Sequence, residues 1–328
     1  MKYFTPSSPL RQVAHLVGYC LLAASPATAK VTTATKVGGG GGGATAAGLP
    51  AAQRAAIYQQ LQAPIQITLT NGSVILGHSI QVSSENTRVG TSKGAGEAIF
   101  TFKLHEIDQL KVPGEQYKLL AIDFYNKGQY VKALEISQLL YQQRVNMLPL
   151  LPAKESRFFL HYVKLVLQLN QPARALGITS KLRPQIQNPA ALERIDDAIL
   201  SSYYRLELYR QSDTLAQQWI DQHAPEHRNA LGYYILGVSK LRTENYLLAL
   251  ELGLQPIVFA GPLPTQKLAE CYAVAISAAL GLRQADYAAI LFDEMQERSL
   301  NWPLDDPTLA PFRQQLLQQL KPAKNPPL

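Results

Sequence analysis

A short polar segment near the middle of the chain contains the densest group of potential metal ligands. The segment DQHAPEHR holds Asp221, His223, Glu226 and His227. Two histidines separated by three residues can bind Zn²⁺ from one face of a helix when a third ligand lies nearby. Pro225 stands between the histidines and interrupts the helix that would set their spacing. The pattern therefore favours a solvated loop between helical units, and we predict no metal and no cofactor.

Other chemical motifs are weaker. His105 lacks the second histidine of a zinc protease, and we interpret this region as the end of a strand. Gly90, Gly94 and Gly96 lie between predicted strands, whereas a phosphate cradle needs the N-terminus of a helix. They are interpreted as a hairpin turn. The sequence has no GxxxxGK[ST], HExxH, GxSxG or CxxC motif, so we predict no catalytic residues and a chain that is not an enzyme.

The N-terminal 29 residues have the pattern of a signal peptide. Lys2 and Arg11 are basic, an apolar run follows from 13 to 25, and residues 27–29 fit a small-x-small cleavage site. The run is shorter than the ~20 residues that a membrane span needs. We expect a periplasmic or secreted protein with no membrane span after cleavage. An uncleaved anchor is the alternative.

Charge and cysteine content restrict the other function classes. The formal net charge is +7, and the basic residues are spread along the chain without a run of like charges. This distribution does not point to nucleic acid. Cys271 is the only cysteine beyond the predicted cleavage site, so an internal disulfide is excluded for the mature chain. Its apolar helical setting, AECYAVAISAAL, predicts a buried thiol.

Three segments differ in composition before the helical part begins. Residues 30–50 contain six consecutive glycines, which predict a flexible linker because glycine loses the most backbone entropy on ordering. Residues 51–64 are rich in helix formers and are interpreted as a short helix or a continued linker. Residues 65–112 carry the period of two that is typical of strands.

The strand segment contains a clear hairpin signal. Apolar and polar residues alternate from 65 to 69, and Asn71 and Gly72 follow, both of which can adopt positive φ. Gly77 in the returning strand predicts a bend or bulge. Two or three more short strands follow before residue 112. We predict a small, strongly bent all-β barrel over 65–112.

This segment resembles the Sm-like small β-barrels of exported bacterial proteins. The resemblance rests on ITLTNGSVILGHSI and IFTFKLHEIDQL, which match a strand, an Asn/Asp-Gly turn, a bent strand, further strands and a polar-Glu-Ile turn. Such barrels elsewhere bind RNA. Arg88, Lys93 and Lys103 are too few to form a phosphate track, and no basic and aromatic residues interleave. We therefore predict no nucleic-acid partner.

The period becomes helical over residues 115–320. Small residues recur at intervals of about 33 to 42 residues, at Ala133, Ala175, Ala216, Ala249 and Ala288. A two-helix solenoid repeat has a spacing of about 34 residues, and an isolated helix pair cannot bury its apolar face. We predict an all-α solenoid of about five helix pairs. A stripe of apolar residues after 306 is expected to cap it, and residues 321–328 are expected to be disordered.

Two segments of this part resemble the tetratricopeptide repeat. Residues 230–256 supply Tyr233, Leu236, Gly237, Tyr246 and Ala249. Residues 117–140 supply Tyr117, Leu120, Ala121, Phe124, Gly128, Tyr130 and Ala133. The first segment departs at Glu244, where the family has glycine, and three further segments match more loosely. The fold class is therefore a multidomain chain, with a small β-barrel followed by a helical-hairpin solenoid.

The resemblance implies a protein that works by binding. We predict an exported scaffold protein whose solenoid recruits a protein or peptide partner in the cell envelope. The candidate contacts are polar residues on the first helices of two repeats: Asn126, Lys127, Tyr234, Ser239 and Lys240. The oligomeric state is left open.

Two other function classes remain open. One is an envelope-modifying hydrolase with a site between barrel and solenoid, in which Glu106, Asp108 and Glu115 would share a pocket. The other is a purely structural assembly subunit.

Overall fold

The computed structural model describes residues 48–83, 85–91, 98–152, 154–186, 188–223, 227–261 and 264–319. The predicted signal peptide, nearly all of the predicted linker and the C-terminal tail lie outside this part of the chain. Within it, a short helix is followed by a small β region and then by paired helices. This order confirms the prediction of a small β region followed by helical hairpins.

Six antiparallel strands form two three-stranded sheets. The first sheet has the order β2 (Val74–Gly77), β1 (Ile65–Leu69), β6 (Ile107–Lys111), and the second has the order β3 (Ser79–Val82), β4 (Asn86–Gly90), β5 (Ile99–Lys103). No ladder joins the two sheets among these strands, and the edge strands are β2 and β6 in the first sheet and β3 and β5 in the second. The described strands thus form two sheets and not the closed barrel that the sequence predicts. The chain changes sheets at two bends, after β2 and at the 3₁₀ helix Leu104–Glu106.

The predicted hairpin and bend are both present. Gly72 has φ +83°, and the Ser73 amide donates to Asn71 Oδ1 at 2.9 Å. A Cβ on Gly77 would lie 2.7 Å from Cγ1 of Val89, a residue buried in the core of the β region. The glycine therefore lets the chain pass close over this side chain as it leaves the first sheet for the second.

Five pairs of helices and one final helix follow in the described chain. The pairs are α2 (Glu115–Asn126) with α3 (Tyr130–Arg144), α4 (Lys154–Gln168) with α5 (Pro172–Leu182), α6 (Pro189–Arg205) with α7 (Tyr209–Gln222), α8 (Leu231–Arg242) with α9 (Tyr246–Phe259), and α10 (Leu268–Gly281) with α11 (Ala285–Glu297). The final helix is α12 (Ala310–Gln319), and α1 (Ala51–Leu61) precedes the sheets and packs on α3. None of the helices in this part of the chain is both long and apolar enough to cross a membrane.

The same three-residue turn closes every one of these pairs. Its central residue has positive φ in each case: Gly128, Asn170, Glu207, Glu244 and Arg283. The amide of the next residue bonds to the carbonyl five positions earlier, as Gln129 does to Phe124 at 2.8 Å and Asn245 does to Lys240 at 2.9 Å. These bonds are those of the Schellman motif, which satisfies the free carbonyls at a helix end. Glutamate at 244 therefore keeps the turn that glycine makes in the first pair.

The central helices of the second half are enclosed. Ten of the twelve residues of α8 and eleven of the fourteen of α10 are buried. Glycine makes this close packing possible, since a Cβ on Gly253 of α9 would lie 2.9 Å from the Cys271 carbonyl oxygen of α10. The helix α9 contains Pro256 and continues past it to Phe259.

The last helix covers the end of the hydrophobic core, as the apolar stripe predicts. Leu309 and Leu316 are buried in the core of the second half, and α12 packs on α10 and α11. Phe312 makes an edge-to-face contact with Tyr246, with a ring-centroid distance of 6.5 Å. The array thus ends on a helix that faces the core on one side.

A buried ionic cluster joins the β region to the first two helix pairs. Arg144, at the end of α3, has no exposed surface, and its Nη2 donates to the Pro113 carbonyl at 3.1 Å. Its Nε lies 3.7 Å from Oε2 of the buried Glu155 of α4. Lys118 of α2 pairs with Oε1 of Glu155 and lies 2.8 Å from Oε1 of Glu115. This cluster therefore fixes the exit of β6 against three helices.

The buried thiol provides a direct test of the packing of α10. Cys271 is fully buried, as its apolar setting predicts, and burial raises the pKa of the thiol. In a Cys20→Ser background, we expect a maleimide reagent to leave the folded protein unlabelled and to label it rapidly in guanidinium chloride, because the thiolate is the reactive form. Labelling followed by mass spectrometry measures this. Equal labelling rates in both solvents would show that α10 is accessible in the folded chain.

Candidate functional site

The five residues predicted to contact a partner lie in two different settings. Asn126 and Lys127 are exposed where α2 ends, and Lys127 Nζ is 2.7 Å from the carboxylate of Asp123. Tyr234 and Ser239 are buried in α8, and Lys240 is half-buried beside them. Two of the five side chains are thus open to a partner and two are enclosed.

The enclosed pair makes hydrogen bonds within the protein. Tyr234 donates its hydroxyl to Asp306 Oδ2 at 2.6 Å, and Tyr204 of α6 donates to the same oxygen. Burial raises the pKa of both tyrosines, so both remain hydrogen-bond donors at neutral pH. Ser239 donates to Asp213 of α7 at 2.6 Å. The polar groups of α8 therefore tie neighbouring helices together.

A histidine and carboxylate cluster lies between α6 and the end of α7. It contains Glu193, His223 and His227, and one ligand atom from each lies within 4.8 Å of the other two. The Nε2 atom of His227 is 3.0 Å from Glu193 Oε1, and that of His223 is 4.0 Å from the same oxygen. All three side chains are partly exposed. This is the one group of potential metal ligands found among the described residues.

Backbone carbonyls orient both imidazole rings. The Nδ1 atom of His223 is 2.7 Å from the Trp219 carbonyl oxygen, and that of His227 is 3.3 Å from the Asn229 carbonyl oxygen. A carbonyl only accepts hydrogen bonds, so each Nδ1 carries the proton. The Nε2 atoms then face the cluster, and metal-binding histidines are oriented in the same way by a partner of their other ring nitrogen.

A buried aspartate and a tryptophan support this arrangement. Trp219 stacks on the His223 ring, with a centroid distance of 4.1 Å and an interplanar angle of 17°. Its Nε1 donates to Asp197 Oδ1 at 2.9 Å, and Asn229 Nδ2 donates to Asp197 Oδ2 at 2.8 Å. Burial raises the pKa of Asp197 to about 6, although the hydrogen bond from Trp219 lowers it. Asp197 thus holds the residues whose carbonyls orient both histidines.

The sequence pattern places the histidines correctly in a loop but misses their partner. The helix α7 ends at Gln222. The two rings therefore do not share a helix face, as the helix-breaking effect of Pro225 implies. Both rings instead lie near Glu193 of α6, which is 30 positions before His223 in the sequence. No local spacing signals that contact. Asp221 instead accepts from Gln217 at 2.9 Å, and Glu226 lies outside the described residues.

The outer face of α9 is a second unusual feature. Leu247 is 71% exposed and Val258 is 72% exposed. Glu251 is exposed and Leu254 is half-buried between them. Spacings of four, three and four residues place these side chains on one face of the helix. We call this strip the α9 face.

The three carboxylates that the hydrolase hypothesis places in one pocket have separate roles in the structure. Glu106 accepts the Lys103 amide at 2.7 Å within the 3₁₀ turn, which also contains His105 where the sequence predicts a strand end. Asp108 is exposed on β6, and Glu115 belongs to the ionic cluster around Arg144. Gly90 ends β4, while Gly94 and Gly96 lie outside the described residues.

No protein-family model matches the chain, and no curated protein matches it.

Proposed function

We propose that the chain is a binding or scaffold protein that recruits a partner protein through its helical array. The tetratricopeptide-like pattern of residues 117–140 and 230–256 and the Sm-like pattern of 65–112 support a modular protein of this kind. The signal-peptide pattern of residues 1–29 supports a location in the cell envelope. The observation that carries the proposal is the α9 face.

Two strongly exposed aliphatic side chains, Leu247 and Val258, lie on the outer side of this helix. A surface helix turns its apolar stripe towards the core and its polar side towards solvent. The helix α9 has apolar residues on both sides, since Ala249, Leu252 and Ile257 are buried while Leu247 and Val258 face solvent. Contiguous exposed apolar patches mark sites of protein association, and we infer that Leu247, Leu254 and Val258 together contribute to one.

The spacing and charge of the α9 face indicate the chemistry of the partner. Residues at helical spacing accommodate an amphipathic helix, whose apolar side packs along the row. Glu251 lies in the middle of the strip and is exposed, and no ion pair with it occurs among the described residues. A lysine or arginine at the centre of the partner helix would complement it. We therefore propose an amphipathic, basic helical segment of another protein as the partner.

Site-specific crosslinking tests this proposal. A photo-crosslinking amino acid is placed at position 247, 258 or 119 of the full chain in cells that naturally produce it. We expect the same protein, identified by mass spectrometry, to be captured from positions 247 and 258. Its purified form should then bind Leu247→Glu about tenfold or more weakly than wild type, because burial of a leucine contributes about 1.5–3 kcal/mol.

Leu119 provides a matched control. It is a leucine that is 72% exposed on α2, in the first helix pair. Leu119→Glu should bind the partner with unchanged affinity, and position 119 should not capture it. Absence of a common captured protein, or equal binding by Leu247→Glu and wild type, would contradict the proposal.

A further inference from the structure

The cluster of Glu193, His223 and His227 has the ligand types of a zinc site. Zinc in proteins binds imidazole nitrogen and carboxylate oxygen at about 2.0–2.2 Å, so ligand atoms around a tetrahedral ion are about 3.3 Å apart. The two separations of 3.0 and 4.0 Å from Glu193 Oε1 to the histidine Nε2 atoms lie on either side of that value. Small side-chain rotations are enough to bring all three atoms around one ion.

The surrounding residues orient both rings so that their Nε2 atoms point towards Glu193. Each Nδ1 is directed at a backbone carbonyl, so Nε2 is the ring nitrogen that would bind an ion. Stacking of Trp219 fixes the plane of the His223 ring, and the His227 ring lies edge-on to the same indole at a centroid distance of 5.5 Å. Such outer contacts are what orient metal-binding histidines in known sites.

We propose that Glu193, His223 and His227 form a Zn²⁺-binding site with an open fourth position. Two imidazoles and one carboxylate suit zinc better than calcium or magnesium, which prefer oxygen ligands. The side chains of the three residues are 38%, 17% and 30% exposed, so the ion can enter from solvent and a water can complete its coordination. Binding would tie the chain that follows α7 to the middle of the array, independently of the α9 face.

Direct metal titration tests the site. The full chain is prepared without an affinity tag, stripped with a chelator, and titrated with Zn²⁺ against a chromophoric competitor. We expect one tightly bound ion per chain. We expect the affinity for Zn²⁺ to fall by about 100-fold or more in each of His223→Gln, His227→Gln and Glu193→Gln. Loss of an outer contact alone weakens a metal site about 10- to 100-fold, and loss of a ligand should weaken it at least as much. His105→Gln, in the distant 3₁₀ turn, is the matched control and should bind as wild type does.

A spectroscopic measurement separates this site from surface binding. Co²⁺ in place of Zn²⁺ should give the intense visible absorption of a tetrahedral ion in the wild type and lose it in His227→Gln. Far-UV circular dichroism in the presence of chelator shows whether each variant is folded. Failure of the wild type to bind one ion, or binding as tight as wild type in all three variants, would overturn the proposal and leave the contact between Glu193 and His227 with a structural role only.

Discussion

Gly253→Val is expected to lower the free energy of unfolding by about 3 kcal/mol, at the upper end of the usual effect of overpacking. A Cβ at this position would lie 2.9 Å from both the Cys271 carbonyl oxygen and the Ala275 amide nitrogen. Both atoms belong to the backbone of α10 and are held by its helix, so they cannot rotate away as a side chain could. The helix α9 would have to separate from α10. Guanidinium unfolding followed by circular dichroism measures the change.

Gly177 is a suitable control for this substitution. It is an exposed residue of α5, and a Cβ there would meet nothing within 4 Å. Valine has a higher helix propensity than glycine, so Gly177→Val should preserve stability or raise it by a few tenths of a kcal/mol. Wild-type stability for Gly253→Val would contradict the close contact of α9 with α10. Equal losses in both variants would assign the effect to valine in a helix.

Arg144→Met is expected to lower the free energy of unfolding by about 3–5 kcal/mol, the usual effect of removing one partner from a buried ion pair. Methionine fills similar space but leaves the buried Glu155 with Lys118 as its remaining cation in the cluster. The Pro113 carbonyl also loses the hydrogen bond from Nη2. Thermal and denaturant unfolding of the full chain measure this loss.

Two further variants give this prediction its controls. Arg183 pairs with Asp196 at 2.7 Å, but both side chains are 32% exposed, so Arg183→Met should lose no more than about 1 kcal/mol. The double variant Arg144→Met with Glu155→Met should be more stable than Arg144→Met alone, because no carboxylate is left buried with too few partners. Similar losses in the Arg144 and Arg183 variants would show that the buried cluster contributes little.

Local signals in the sequence were sufficient for the order of elements. The Asn71-Gly72 turn and the bend at Gly77 follow from backbone conformations that few residues adopt, and both are present. The two good repeats and the recurring alanines likewise predict paired helices. Closure of the strands into a barrel was not predictable in this way, because it depends on pairing between distant edges. The described strands form two sheets in its place.

The candidate sites depended on long-range contacts that spacing does not reveal. The sequence pattern predicts that Tyr234 and Ser239, on the first helix of a repeat, contact a partner. In the structure both are buried and donate hydrogen bonds to Asp306 and Asp213, respectively. The sequence does not show which side of a helix faces solvent when the helix, like α8, is surrounded on nearly all sides. His227 and Glu193 meet for the same reason, through the packing of separate segments. The one local signal was the spacing of Glu193 and Asp197, which are four residues apart and so lie on the same face of α6. This spacing indicates that α6 packs against polar side chains on that face.

The five turns between paired helices show how freely side chains can vary at a joint that the backbone defines. Of the five central residues, only Gly128 lacks a Cβ, and the other four also have positive φ. This conformation costs residues other than glycine roughly 1 kcal/mol each. Asparagine, two glutamates and an arginine nevertheless produce one backbone path. Each of these four joints thus carries a small conformational strain that packing on both sides offsets. The similarity of the pairs therefore resides in the geometry of their joints, while the residues at those joints are free to differ.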